Sequence, residues 1–142
     1  MNKKIKNLYN KDNNSAYKTL LELETIAAES NELYSYFDLF LKMLNNEKSF
    51  IRVRGFRLIC CLAKWDTENK INDNIDFILK ELKDKNGTSV RQCLEKLNLI
   101  LIYKNELKDI TASKLRSLAL FGYKKSMQLL IKKDLDIILE HL

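Results

Sequence analysis

The chain has 142 residues, 46% of them hydrophobic, with no proline and three glycines, a length that suits one domain with enough buried surface to fold without staples. The formal net charge is +6, which suits an anionic partner, although only five of the 25 basic residues are arginine, the better reader of phosphate. No stretch approaches 18 consecutive apolar residues and no apolar segment follows the charged N-terminus. A membrane span and a secretory signal are therefore not expected, and the cytoplasm is the default compartment.

Leu, Lys, Glu and Ile dominate the composition, which favours helices over a sheet. Residues 1–13 are rich in Asn and Lys without a sustained period, and read as a flexible basic arm. Residues 14–142 read as a single domain. Asn14 or Ser15 caps a first helix to about Ala28, with Ala16, Leu20, Leu23 and Ala27 on one face. Glu22 and Glu24 fall on exposed faces of that helix. A second helix follows Asn31, with Leu33, Phe37, Phe40 and Leu44 buried. Ser49 caps a third, to about Trp65, with the stripe Ile51, Gly55, Leu58 and Leu62; Gly55 lets another helix approach closely.

A fourth helix spans about Asp73 to Lys83, with Ile75, Ile78, Leu79 and Leu82 inward. A turn with positive φ at Gly87 leads to a fifth helix, capped by Thr88 or Ser89 and running to about Lys104 on the stripe Val90, Leu94, Leu97 and Leu101. Glu106–Leu120 is helical, with a weak point near Thr111 and Gly122 as a C-cap. Tyr123–Leu142 closes the chain, and any break there falls at 132–134.

The octet Phe37–Leu44 recurs as Ile75–Leu82 and again as Leu135–Leu142, with its Asp at positions 38, 76 and 136. Ile51-Arg52 is matched 39 residues on by Val90-Arg91. Each unit reads as helix, short polar turn, capped helix, and such units stack because one helical pair cannot bury both its apolar faces. The expected fold is all-α, a short α-solenoid of antiparallel helical hairpins.

The segment LKMLNNEKSFIRVRG resembles the HEAT-repeat pattern, and TSVRQCLEKL resembles the second half of a further repeat; the likeness covers Tyr34 to about Tyr103. The turn prolines of the pattern are absent. The chain also resembles a family of small bacterial HEAT-like proteins, through RVRGFRLICCLAKWDTENKI and SVRQCL, some of which carry the label "SufBD protein". An iron–sulfur role has no support here, since the Suf scaffold proteins are β-rich. The resemblance implies that Arg52 and Arg91 bond acidic or turn groups of their own or a neighbouring unit. It also implies that the second helix of each pair lines the concave surface.

Arg54, Arg57, Cys61 and Lys64 lie within about 80° on the third helix at 100° per residue. Their counterparts on the fifth are Cys93, Lys96, Ile100 and Tyr103. Arg54, Arg57, Lys64, Lys96 and Tyr103 are thus the candidate binding residues, as a basic groove wall or as a solvated helix face. Trp65-Asp66 ends the third helix. HEAT-like glycosylases for alkylated bases use aromatic and acidic residues in a basic concavity; the other reading is that Trp65 packs a joint between units and Asp66 caps the next turn. Cys60, Cys61 and Cys93 are odd in number and lack a C-x-x-C pattern, and His141 is the only histidine, so buried thiols are expected rather than a disulfide or zinc site. No nucleophile–base set, phosphate loop or dinucleotide fingerprint is present. The expected function is a non-enzymatic interaction module for a protein partner, without cofactor or metal. The alternatives are nucleic-acid binding through the basic strip and, more remotely, a glycosylase-like enzyme.

Overall fold

The computed structural model describes residues 1–142 and contains helices without strands. The α-helices are α1 (Asn2–Asn7), α2 (Asn13–Glu29), α3 (Phe37–Met43), α4 (Ser49–Cys61), α5 (Lys70–Asp73), α6 (Ile75–Leu79), α7 (Gly87–Tyr103), α8 (Lys108–Arg116) and α9 (Lys125–Glu140). Short 3-10 turns precede α3 and α8 and follow α4 and α6. None of the helices is long and apolar enough to cross a membrane.

Four long helices form a row. α2 packs on α4, α4 on α7 and α7 on α9, and they begin at Asn13, Ser49, Gly87 and Lys125, spaced 36, 38 and 38 residues apart. Behind them α1 leans on α2, α3 on α4, the turn Lys80–Lys83 on α7 and α8 on α9. One apolar core runs from Ile5 to Ile138, with Phe37, Phe40 and Phe56 fully enclosed. Every residue of the apolar stripes expected on the first five helices is buried, and all but Ala16 and Gly55 belong to it. Gly55 is buried too, and a Cβ there would sit 2.7 Å from Met43 Cβ and 2.8 Å from the Phe40 carbonyl oxygen. The missing side chain is what lets α3 close on α4.

The helix ends depart from expectation. The first thirteen residues are not a free arm. Ile5 and Leu8 are one turn apart, so one side of a Lys/Asn-rich stretch is apolar enough to enter the core. Asn7 then donates to Ser15 Oγ at 3.1 Å and Thr19 Oγ1 at 2.7 Å. The caps lie earlier than expected: Asp12 accepts from the Asn14 and Ser15 amides to start α2, and Asn86 accepts from the Ser89 amide to start α7. Gly87 lies inside the first turn of α7 without a positive φ. Its lack of a side chain instead makes room for Met127 of α9. α8 is unbroken at Thr111 and stops at Arg116, so Gly122 caps nothing. α9 runs through 132–134 without a break. The third copy of the octet, Leu135–Leu142, therefore sits mostly in a long helix of the row, not in the first helix of a pair. An apolar–Asp–apolar pattern marks a helical face and does not say which helix of a hairpin carries it.

Candidate functional site

The arc expected as a basic groove wall or a solvated face is turned inward, except at Lys64. Arg54 is 4% exposed and Arg57 6%. Arg54 donates to the Leu8 carbonyl oxygen at 2.7 Å and to Asn13 Oδ1 at 3.1 Å. Burial holds its pKa below the ordinary guanidinium value, since no carboxylate faces it. Arg57 grips Glu24 with two hydrogen bonds of 2.9 Å and donates to Gln92 at 2.8 Å. Burial opposes the Arg57 charge, and the Glu24 carboxylate outweighs it, so its pKa lies above the ordinary value. Lys64 is exposed but donates to the Ala28 carbonyl oxygen at 2.7 Å, closing the end of α2. Lys96 reaches Glu24 from α7 at 3.7 Å. Tyr103, at the far end of α7, is 48% exposed and apart from this cluster.

Arg57, Gln92 and Lys96 thus tie α2 and α7 together across α4, whose arc is their joint rather than a groove wall. The expectation failed on Glu24. It lies four residues after Leu20, on the apolar stripe of α2, and is 8% exposed, so its spacing already marked it as an inward carboxylate needing a cation.

Asp66 and the two arginines of the apolar-Arg dipeptides join elements that lie far apart in the sequence. Trp65 Nε1 donates to the Ala27 carbonyl oxygen at 2.6 Å, and Lys104, 39 residues further on, donates to the Asp66 carbonyl oxygen at 2.9 Å. The buried Asp66 carboxylate accepts from the Tyr34 hydroxyl at 2.6 Å and from the amides of Lys70 and Ile71. Burial would raise its pKa, but these donors and Lys104 hold it below the usual carboxylate value. Arg52 donates to the turn carbonyls of Asn46 and Glu47 at 2.7 and 2.9 Å and pairs with Asp84 at 2.7 Å and Glu81 at 3.1 Å. Burial raises Glu81 to about 7, with Asp84 adding to it and Arg52 opposing. The counterpart Arg91 pairs with Asp134 of α9 at 2.7 Å.

That last pair spans a cleft of 550 Å³ between α7 and α9, which no expected binding residue lines. Leu94, Met127 and Ile138 supply apolar surface. Thr88, Gln92, Glu95 and Asn98 stand on the α7 side, with Ile137 and His141 opposite. Glu95 and Asn98 are exposed, and Ile137 is 55% exposed. His141 Nδ1 donates to the Ile137 carbonyl oxygen at 2.7 Å, one turn back on its own helix. In the sequence the only trace of this cleft is Gly87, which sets how near α9 comes to α7.

The cleft presents an apolar floor, one ion pair, and an exposed acid and amide at its rim. Elsewhere the three cysteines are buried and unbridged; burial raises Cys61 to about 11 and holds Cys60 and Cys93 well above the ordinary thiol value, so they are not poised as thiolates. No three His, Cys, Asp or Glu side chains come together as a metal-ligand set. No known protein family, no curated protein and no solved structure matches the chain.

Proposed function

We propose that this protein is a short α-solenoid of HEAT-like hairpins that acts as a non-enzymatic interaction module, and that it receives a segment of a protein partner in the α7–α9 cleft. The solenoid reading draws support from the even spacing of the four long helices and from the like-placed joints made by Trp65 and Lys104. The observation that carries the docking site is the cleft itself, open between the last two long helices, with an apolar floor and the unpaired Glu95 on its rim. A segment with an apolar side chain for the floor and a cation for Glu95 fits these groups.

The nucleic-acid alternative is weakened by the bonding of Arg54 and Arg57, whose donors already meet Leu8, Asn13, Glu24 and Gln92. Affinity capture from cell extract, with and without nuclease, followed by binding of the captured protein to purified variants, tests the reading. A protein retained after nuclease should bind the double variant Glu95→Arg/Asn98→Arg at least ~10-fold more weakly, at unchanged melting temperature. Capture abolished by nuclease, or binding indifferent to the double variant, overturns it.

A further inference from the structure

We propose that the edge of the molecule at which the long helices begin docks on the surface of an anionic lipid bilayer, with Phe121 entering its interface. The proposal does not depend on what the cleft binds. It concerns surface contact, since no helix is long and apolar enough to cross a membrane. α2, α4, α7 and α9 run in one direction. Their starts meet: Arg54 reaches Asn13 at 3.1 Å, Asn86 reaches Ser49 Oγ at 3.5 Å, and Gly87 makes room for Met127. Their ends meet too, through Trp65 on Ala27 and Lys104 on Asp66. The turns of the chain therefore gather on two opposite edges, and the edges differ in charge.

On the starting edge Lys48 precedes α4, Lys83 and Lys85 precede α7, and Arg116, Lys124 and Lys125 flank the loop before α9. All six are exposed, and none is paired with a carboxylate. The exposed acids of these turns are Glu47 and Asp12, the cap of α2, which stands beside Lys11; Glu81 and Asp84 are buried against Arg52. The ending edge instead carries Glu29, Glu32, Glu68 and Glu106, all exposed, with Lys64 among them. The imbalance is steepest at the last hairpin. Residues 110–133 hold six basic residues and no acidic one, the whole of the net charge of +6, while the other 19 basic residues are matched by the 19 acidic ones. The positive ends of the four long helix dipoles fall on the same edge. Its field draws anions.

The apolar residues of the edge select which anion. Phe121 is 86% exposed, more than any other large apolar side chain. A Cβ added to Gly122 beside it would meet nothing within 4 Å, so the tip of the loop stands clear of the body. Phe50, at the start of α4, is exposed on the same edge. Cations around a projecting phenylalanine suit a charged surface with an apolar layer beneath it, which is what a bilayer of anionic lipids offers. A nucleic-acid strand calls for cations that track a groove and favours arginine forks. Here the cations stand on separate turns and five of the six are lysine, whose stems lie along an apolar layer while their amines stay among the headgroups.

Flotation with vesicles tests the proposal. The protein should float with phosphatidylcholine vesicles that contain about 30% phosphatidylserine and not with phosphatidylcholine alone, and salt at about 0.5 M should release it. Lys124→Ala/Lys125→Ala should weaken binding roughly 20-fold, at about five-fold for each lysine near the surface. Lys64→Ala/Lys108→Ala removes the same charge from the ending edge and should change binding less than about two-fold, because those lysines stand beyond the screening length. Phe121→Ser should weaken binding about ten-fold with circular dichroism and melting temperature unchanged. Phe121→Trp gives a second reading at the same position: its emission should shift to the blue on anionic vesicles, whereas Trp65, on the ending edge of the wild type, should not respond. Absence of flotation, equal losses from the two lysine pairs, or binding indifferent to Phe121→Ser together with an unshifted Phe121→Trp, overturns the proposal. So does a single-stranded RNA homopolymer that binds the same edge while anionic vesicles do not.

Discussion

α4 and α9 stand in the same row, yet they treat their side chains in opposite ways. Ten of the thirteen residues of α4 are buried, two arginines among them, whereas α9 buries three of sixteen and exposes two leucines and an isoleucine. The difference is in the neighbours. α4 lies between α2 and α7 with α3 behind it, so even its charged positions are covered. α9 has α7 on one side and no helix of the row on the other. Helical periodicity describes a face, and the next element decides whether that face is interior.

The comparison breaks most visibly at Arg57. Arg57→Met leaves Glu24 buried with only Lys96 near it, and should cost about 3–5 kcal/mol in urea denaturation. Adding Glu24→Leu should recover much of that loss, because a well-packed apolar pair replaces a buried ionic one. A single variant as stable as the wild type would show that the pair is solvated and α4 less enclosed than described. Truncating the apolar stripe is the next largest effect. Leu58→Ala in α4 and Leu97→Ala in α7 are both fully buried positions and should each lose roughly 2–5 kcal/mol.

Glu81 sharpens the comparison through pH. Its carboxyl sits at about 7 in the fold against 4.5 for the ordinary side chain, because burial favours the neutral form. A raised carboxyl stabilises the fold fully below pH 4.5 and loses that contribution as the pH climbs to 7. The loss is roughly 3–4 kcal/mol at ~1.4 kcal/mol per pH unit, and Glu81→Gln should flatten that limb of the stability profile. Asp84 works the other way: burial would raise it, but the Asn86 amide and Arg52 pull it below its usual value, so its contribution fades only in acid. The smallest effect is expected on α9, where Leu129 is 71% exposed and Leu129→Ala should change stability by less than about 0.5 kcal/mol. A larger loss would mean that Leu129 is packed, and that the outward face of α9 belongs to the interior after all.

The residue pattern was legible wherever a helix has a strong apolar stripe. Leu20, Phe40, Leu58, Leu79 and Leu97 all follow from spacing alone, because each recurs on one side of a 3.6-residue turn and water excludes that side in any packing. The helical class, the close approach at Gly55 and the burial of the three cysteines follow from similar local reasoning, whereas the turn role of Arg52 was implied only by the resemblance to helical repeats. The joint made by Trp65 and the capping of the next turn by Asp66 were readable too.

The placement of charge was not legible. Arg54 and Arg57 are solvated residues on an isolated helix, and only the arrival of Leu8, Glu24 and Gln92 from other elements makes them interior. The same holds for the fate of residues 1–13, which depend on two side chains, Ile5 and Leu8, finding the core. The cleft is a space between α7 and α9, and a space has no residue of its own to be read. Sequence by itself determined which residues want to leave water, since that preference belongs to each side chain and its helical phase. Tertiary structure alone decided which polar residues had to follow them inside, and which apolar ones on α9 were left out, because those outcomes depend on where distant helices meet.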